Sequence, residues 1–535
     1  MMNVRVLIGA VALGLLVVVS IVPSARAQSQ VSVSGWSPPL SLSGNDPKTG
    51  GWFPAVVTDR YGQVHVVWNG RAPGRPVAAY GEGITVPRLS ASAGWLLYNK
   101  WDGQRWAGPR EIAAIGLEGD ALRAGLTIDD ESRLHLVYRG IDLREAKSRG
   151  AENEPVRYSN ASVTLADLPS GWSRGVAISE RTPAYFPEIV ADRRGVLHTL
   201  TTEAGRTVQY AVYYRRSTDG GKTWSDPVTI GPNHAVSRWR LQLKLGPNDD
   251  LNAVWELVDP LEPSSRTPHG FVYARSTDSG ESWTHTTFAP SKQDAIYPKL
   301  YEGTGWRIQP AVGVDSRGQI VLVWREVGSN VIYFQRSGDG REWTAPVRVG
   351  GVSRGVSRPF DRYDMALDDA GRLHLVMVAY PDTAKTAPMA LMHSEWVGYS
   401  WGTPETIALG AAAPFPEWPR IAIGEGNRLH VVWFGRDGDD PIGIWYSTKT
   451  TSAPYIPPLP VPADEVTLPT PVPTRTGMQA TPRPVATATT VAPRNPAFDA
   501  PADRLKPAAW PVIVGLAGAT ATLAVLLVYR RISSR

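Results

Sequence analysis

Carboxylates recur in this sequence inside one phrase, Ser-x-Asp-x-Gly-x-x-Trp. Two copies are complete, Ser217-Thr-Asp219-Gly-Gly221-Lys-Thr-Trp224 and Ser276-Thr-Asp278-Ser-Gly280-Glu-Ser-Trp283. Two are one residue shorter, Ser337-Gly-Asp339-Gly340-Arg-Glu-Trp343 and Asp102-Gly103-Gln-Arg-Trp106. A fifth, Ser394-Glu-Trp396-Val-Gly398-Tyr-Ser-Trp401, has Trp where Asp belongs. Paired carboxylates are common apparatus for acid–base catalysis. In this phrase they have another use: Asp accepts hydrogen bonds from turn amides, Gly permits a positive φ, and Trp packs beneath the turn. Asp102, Asp219, Asp278 and Asp339 are therefore read as structural, each consumed by its own turn.

Other chemistries find less material. The absence of cysteine excludes a thiolate metal site, a disulfide framework and a cysteine nucleophile. His65, His135, His198, His374 and His430 fall at one point of a repeated strand, which marks a packing position and not a metal cluster. No P-loop, dinucleotide fingerprint or helical His pair stands out. Asp249-Asp250 and Asp437-Gly438-Asp439-Asp440 offer hard oxygen ligands to a structural Ca²⁺, although acidic turns are more often simply solvated; no other cofactor is implied. A net charge of +5, from 55 basic and 50 acidic residues in 535, is too small to suggest a nucleic-acid partner.

The elements that carry these residues form a repeat. One phrase is an apolar strand, an acidic or Gly turn, and a second strand often starting with His: Pro54 to Asp59, then Gly62 to Trp68. It recurs at Asp129 to His135, Asp192 to His198, Asp315 to Trp324 and Asp368 to His374. It appears again, with Gly424 for Asp, at Ile421 to Trp433, and a weaker copy at Leu241 to Trp255 lacks both Asp and His. A third strand rich in Tyr and a fourth beginning with Trp follow each copy, as in Val212-Tyr213-Tyr214 and Trp224 to Ile230. Four short strands per unit, with no helical periodicity, predict an all-β fold, a seven-bladed β-propeller of four-stranded antiparallel blades; six blades is the alternative if the weak copy is not a blade. The last copy has its third strand, Ile444 to Tyr446, but no Trp strand after it. Trp36 to Leu42 matches that missing phrase, so an N-terminal strand is expected to complete the last blade and remove two exposed edges.

The ends set a compartment. Residues 1–27 read as a signal peptide: Arg5, an apolar run from Val6 to Val22, and Ala25-Arg26-Ala27 at the cleavage point. The folded domain is expected over 28–450 and a Pro/Thr-rich stalk over 451–509. Trp510 to Tyr529 carries no charge and is long enough to span a membrane; the basic tail 530–535 stays inside, so the propeller is extracytoplasmic.

The repeated turn resembles the Asp-box (BNR) repeat of sialidases and related propellers, a likeness covering about Gln28 to Thr450. It implies that the Asp boxes lie on the face opposite the ligand site. That opposite face is built from residues leaving second strands, among them Glu256 and Arg325, and from residues entering new blades, including Arg240, Trp306, Arg307, Arg362, Tyr363 and Trp418. Arg presents a planar fork suited to a carboxylate and Trp stacks on sugar rings, so Arg240, Arg307, Arg325, Arg362, Trp306 and Trp418 are candidate ligand-binding residues. The bland alternative is that these arginines are rim charges paired with neighbouring Glu.

In sialidases three Arg hold the substrate carboxylate, a Tyr is the nucleophile with a Glu as its base, and an Asp is the acid/base. The resemblance points to Tyr363 as a nucleophile and Glu256 as a base. The Arg-Ile-Pro motif of that family is absent from the first blade, where the slot reads Trp52-Phe53-Pro54; its nearest echo is Arg307-Ile308-Gln309-Pro310. The expectation is a monomeric, surface-displayed propeller that binds a glycan or an extracellular protein without catalysis. The alternatives are an exo-glycosidase of sialidase type acting on acidic sugars, and a structural protein of the cell envelope.

Overall fold

The computed structural model describes residues 35–44, 51–71, 94–116, 123–140, 155–179, 184–203, 210–231, 241–258, 268–288, 307–356, 362–383, 386–410, 415–437 and 440–462. The expected signal peptide, the greater part of the stalk, the segment Trp510 to Tyr529 and the basic tail lie outside them. Among the described residues no helix is long and apolar enough to cross a membrane.

Seven antiparallel sheets follow one another along the chain. The first strands of the blades are Trp52–Thr58, Ala124–Ile128, Ala184–Ala191, Gln242–Leu245, Arg307–Val314, Asp364–Leu367 and Phe415–Gly424. Each packs against the first strand of the next blade, and the seventh against the first, so these strands form a closed ring about the centre. The weak copy is a true blade, with Leu251–Val258, Pro268–Ser276 and Thr284–Phe288 as its remaining strands. The fourth strands of blades 2, 3 and 5 are only two residues long, which leaves little open edge for foreign strands.

The ring closes as the sequence predicts. Leu40–Ser41 pairs antiparallel with Asp440–Thr450 of blade 7, Leu40 opposite Tyr446 and Ser41 opposite Trp445. Ser37 N donates to the Thr448 carbonyl at 2.8 Å and Leu42 N to Ile444 at 2.7 Å. Joining the two chain ends in one sheet makes loss of either end cost the whole ring.

Two features differ from expectation. The inner strand of blade 6 is built in two pieces, Val352–Gly355 and Asp364–Leu367, both antiparallel to Leu373–Pro381. Gly355 stands opposite Ala379 and Asp364 opposite Val376, so the register changes between Gly355 and Asp364. The chain also stays on the propeller past Thr450. Ile456 N donates to the Glu425 carbonyl at 2.9 Å and Leu459 N to Arg60 at 2.8 Å, carrying the Pro-rich segment from blade 7 to blade 1. Proline removes donors but leaves these two amides free to bond.

Blades are joined by one repeated device. In blades 2 and 3, the second-strand His bonds a Tyr hydroxyl through Nδ1 at 2.7 Å (His135 to Tyr158, His198 to Tyr214) and faces an Asp of the preceding turn through Nε2. Each Tyr hydroxyl then donates to a carbonyl in the Asp box of the following blade, Gly220 or Ser279, at 2.9 Å. In blade 4 Asn252 stands in place of His and accepts from Tyr273 at 2.7 Å, while the carbonyl of Gly340 in the next box accepts from Thr286 Oγ1 at 3.1 Å. The Trp of each following turn packs edge-on against that Tyr: Trp224 on Tyr158, Trp283 on Tyr214, Trp343 on Tyr273 and Trp106 on Tyr446, with centroids 5.0 to 5.3 Å apart. Such edge contacts contribute about 0.5–1.5 kcal/mol each beyond burial.

The Asp boxes are turn locks. Asp219 Oδ1 accepts from Ser217 Oγ at 2.8 Å and from the Thr223 amide at 2.9 Å, and Asp278 repeats the pattern with Ser276 and Ser282. Asp339 accepts from the Arg341 and Glu342 amides, Asp102 from Gln104 and Arg105. These donors hold the Asp102, Asp219, Asp278 and Asp339 carboxyls below the usual carboxylate range.

Candidate functional site

The innermost strands carry a shared kink. Phe53, Phe186, Gln309 and Trp418 each adopt a positive φ of 44 to 57° immediately before a proline, at a register shift in the first strand. The residue before proline is steered away from the right-handed helical region, and a bulge re-aims its side chain. Three of these side chains surround one guanidinium: the Arg123 carbon lies 4.5 Å from the Phe53 ring centroid, 4.0 Å from Phe186 and 3.8 Å from Trp418. Arg123 enters blade 2, so residues of blades 1, 2, 3 and 7 meet there.

Beside this cage a chain of charges crosses the ring. Glu188 of blade 3 pairs with Arg362 of blade 6 at 3.0 Å and with Arg420 of blade 7 at 3.2 Å. Arg420 Nε reaches Asp364 at 3.1 Å, and Asp364 accepts Lys244 of blade 4 at 2.7 Å. Burial works against the Asp364 charge, yet Lys244, Arg420 and Arg362 together hold its carboxyl down at about 2. Burial opposes ionisation of Glu188 too, and Arg420 and Arg362 outweigh it, so its carboxyl lies below the ordinary value. Burial, reinforced by Arg420, pulls the Arg362 guanidinium down to about 10, still charged at neutral pH. In a low-dielectric interior such pairs survive because each charge is matched; removing one partner is strongly destabilising.

The sequence-derived candidates divide accordingly. Arg362 is 1% exposed, bonded to Glu188, and 4.5 Å above the Trp418 ring, so those two candidates do meet. Tyr363 is fully buried, its carbonyl accepting from Gln242 Nε2 at 2.8 Å. Glu256 Oε1 accepts from the Gln309 amide at 2.7 Å, and Gln309 Oε1 accepts from Arg325 Nε at 2.6 Å. A Cβ added at Gly355 would lie 2.8 Å from the Tyr363 hydroxyl and 2.9 Å from Arg325 Cδ, so that glycine lets the tyrosine and the arginine side chain approach. Glu256, Arg325 and Tyr363 are thus linked through Gln309 and Gly355 across blades 4, 5 and 6.

Arg307 lies elsewhere, 5.5 Å from the Trp324 ring and 5.8 Å from Phe288, where burial lowers its pKa. Arg240 and Trp306 fall outside the described residues. Glu188, Asp364, Arg420 and Lys244 were not singled out from the sequence. Their signal was present as polar side chains on strands that otherwise read as buried. Asp249 pairs with Arg193 at 3.3 Å and Asp250 with Arg275 at 2.5 Å, so a cation there would compete with two guanidinium groups. Asp437 belongs to blade 7, and residues 438–439 lie outside the described set.

The fold and its turns define an Asp-box β-propeller of seven blades. Residues 179–348 match the family described as "BNR repeat-containing family member". No curated protein matches the sequence. Among solved structures it is similar to a protein of unknown function from Dyadobacter fermentans, at 16% identity and TM-score 0.46, covering 78% of this chain and 100% of that one. It is similar to a variant of the NanB sialidase from Streptococcus pneumoniae, at 11% identity and TM-score 0.41, covering 77% and 71%. A polysaccharide lyase, an ulvan lyase, gives 13% identity and TM-score 0.49 over 76% and 95%. No activity is carried to this chain from these likenesses.

Proposed function

We propose that the protein is an exported, membrane-anchored propeller that binds a glycan or an extracellular protein ligand without turning it over. The observation that carries this reading is the commitment of Arg362: its guanidinium is buried, paired with Glu188 and stacked on Trp418. A substrate carboxylate would have to displace Glu188 to reach it. Tyr363 is likewise closed to solvent, whereas a nucleophile must meet its substrate. Recognition then falls to the strand ends opposite the Asp boxes, with the central charge network as a rigid floor. Anchoring through Trp510 to Tyr529 and a monomeric state belong to the same proposal.

A sialidase-type exo-glycosidase is the second reading, favoured by the gathering of Glu256, Arg325 and Tyr363 around Gln309 and Gly355. The two are separated by presenting the propeller, residues 28–462, to a glycan array and to acidic glycosides. Saturable binding without hydrolysis is expected. Hydrolysis abolished by Tyr363→Phe would overturn the binding reading and establish the second.

A further inference from the structure

Among the described residues the aromatic joint between blades occurs seven times, five on Tyr, one on Phe and one on His. Tyr98 meets Trp172, Tyr158 meets Trp224, Tyr214 meets Trp283, Tyr273 meets Trp343, Phe334 meets Trp396 and Tyr446 meets Trp106. Between blades 6 and 7 the partners are His393 and Trp36, 5.4 Å apart and edge-on. Trp36 belongs to the N-terminal segment that closes the ring, so the joint that seats this segment on blade 6 is the one built on imidazole.

His393 extends the relay of the other blades. Asp368 Oδ2 faces His374 Nε2 at 3.1 Å, His374 Nδ1 faces His393 Nε2 at 2.9 Å, and His393 Nδ1 faces Glu405 Oε1 at 2.8 Å. Glu405 also accepts Lys449 Nζ on both oxygens at 2.6 Å and the Trp36 indole at 3.0 Å. Both carboxyls are held ionised. Burial opposes this, but His393 and Lys449 bring Glu405 to about 2, and bonds from His374 and the Arg372 amide keep Asp368 below its ordinary value.

Two ionised carboxylates require a proton on His374 Nε2 and another on His393 Nδ1. The nitrogens facing each other at 2.9 Å require a third between them, because two lone pairs would repel. Burial and the neighbouring His374 pull the His393 pKa down and oppose the third proton, while the carboxylates around the pair favour it. The pair's charged neighbours are Asp368 and Arg372 from the first turn of blade 6, Glu395 from the third strand, Glu405 from the fourth and Lys449 from blade 7. Three carboxylates against two fixed cations leave one unit of negative charge, which a singly charged imidazole pair neutralises.

We propose that the Asp368–His374–His393–Glu405 chain is a proton-gated latch on ring closure, shut when the histidine pair carries three protons and released when it loses the shared proton or gains a fourth. Loss leaves lone pair against lone pair; gain sets two imidazolium N–H groups against each other. Either parts His393 from its neighbours and frees Glu405, Lys449 and Trp36. A cavity of about 400 Å³ lined by His393, Glu395, Glu405 and Lys449 gives solvent protons access. These four groups are engaged within the fold, so the cavity serves as a path to the pair and not as a ligand site.

The test is hydrogen exchange of the full chain across pH, with amides at Ser37, Leu42 and Thr448 reporting closure and the Tyr273–Trp343 joint, whose relay has Asn252 instead of His, as internal reference. Relative to that reference, protection is expected to peak in a middle range and fall by about tenfold per pH unit beyond each limb. His393→Tyr, the residue at five other joints, should abolish both limbs. If that variant does not fold, Glu405→Gln should move the upper limb to lower pH, because the shared proton loses a stabilising carboxylate. A wild-type profile parallel to the reference, or limbs unmoved in the folded variants, would overturn the proposal.

Discussion

His430 displays at the level of one side chain what the turn carboxylates do elsewhere. Gly424 stands where five other copies place Asp, and His430 Nδ1 bonds Tyr446 at 2.7 Å. Burial, helped by Arg428, pushes its imidazolium down to about 3. An unfolded histidine titrates near 6.5, so between those values the unfolded chain binds more protons. Its contribution is therefore complete above about pH 6.5 and is lost on acidification, by at most about 1.4 kcal/mol per pH unit. Urea unfolding from pH 7 to 4 should show a shallower loss for His430→Gln than for the parent chain; equal slopes would contradict the assignment. A glycine at position 424 also belongs there sterically, since a Cβ would sit 2.8 Å from His430 Nε2.

The four-residue locks and the Trp–Tyr joints explain why particular glycines recur in the turns. Gly221 has φ +87° and a Cβ there would fall 2.2 Å from the Tyr158 ring, which is held between His135 and Trp224. Gly220, one residue earlier, has φ +72° but open space around it. Gly220→Ala should cost only about 1 kcal/mol, the penalty of a left-handed Ala. Gly221→Ala adds overpacking and should cost about 2–4 kcal/mol. Comparing denaturant midpoints of the two variants checks this; equal losses would mean that the aromatic joint yields freely. The kinked first strands follow similar local logic. An aromatic or Gln residue before proline takes a positive φ, and the bulge swings it toward the centre.

For the molecule as a whole, stability rests on closing a circle. Trp36 is 2% exposed, packs on His393 and donates to Glu405, although its strand supplies only two paired residues to blade 7. Trp36→Ala is expected to cost about 3–5 kcal/mol, as for other buried tryptophans. Calorimetry should record a lower melting temperature for the entire propeller in a single transition, because each blade leans on the next. A separate, early transition confined to blade 7 would argue that the ring is not cooperative. The Pro-rich strap bonded to Glu425 and Arg60 ties blade 7 to blade 1.

Local chemistry was legible in the sequence alone. Asp-Gly-Trp phrases, period-two strands and the displaced Trp36 strand determined seven blades, the turn locks and the manner of closure, because each depends on residues near in sequence or on a repeat that counts itself. The broken inner strand of blade 6 was not legible, since nothing between Gly355 and Asp364 breaks the repeat's count. Nor was the central network: Glu188 meets Arg362 across 174 positions and Arg420 across 232. The sequence marked Arg362 and Tyr363 as residues entering a new blade. Only the tertiary structure decided that this arginine is matched by Glu188 and the tyrosine sealed from solvent, because the partners of a buried charge are set by which strands converge on the axis, and strand convergence leaves no mark on neighbouring residues.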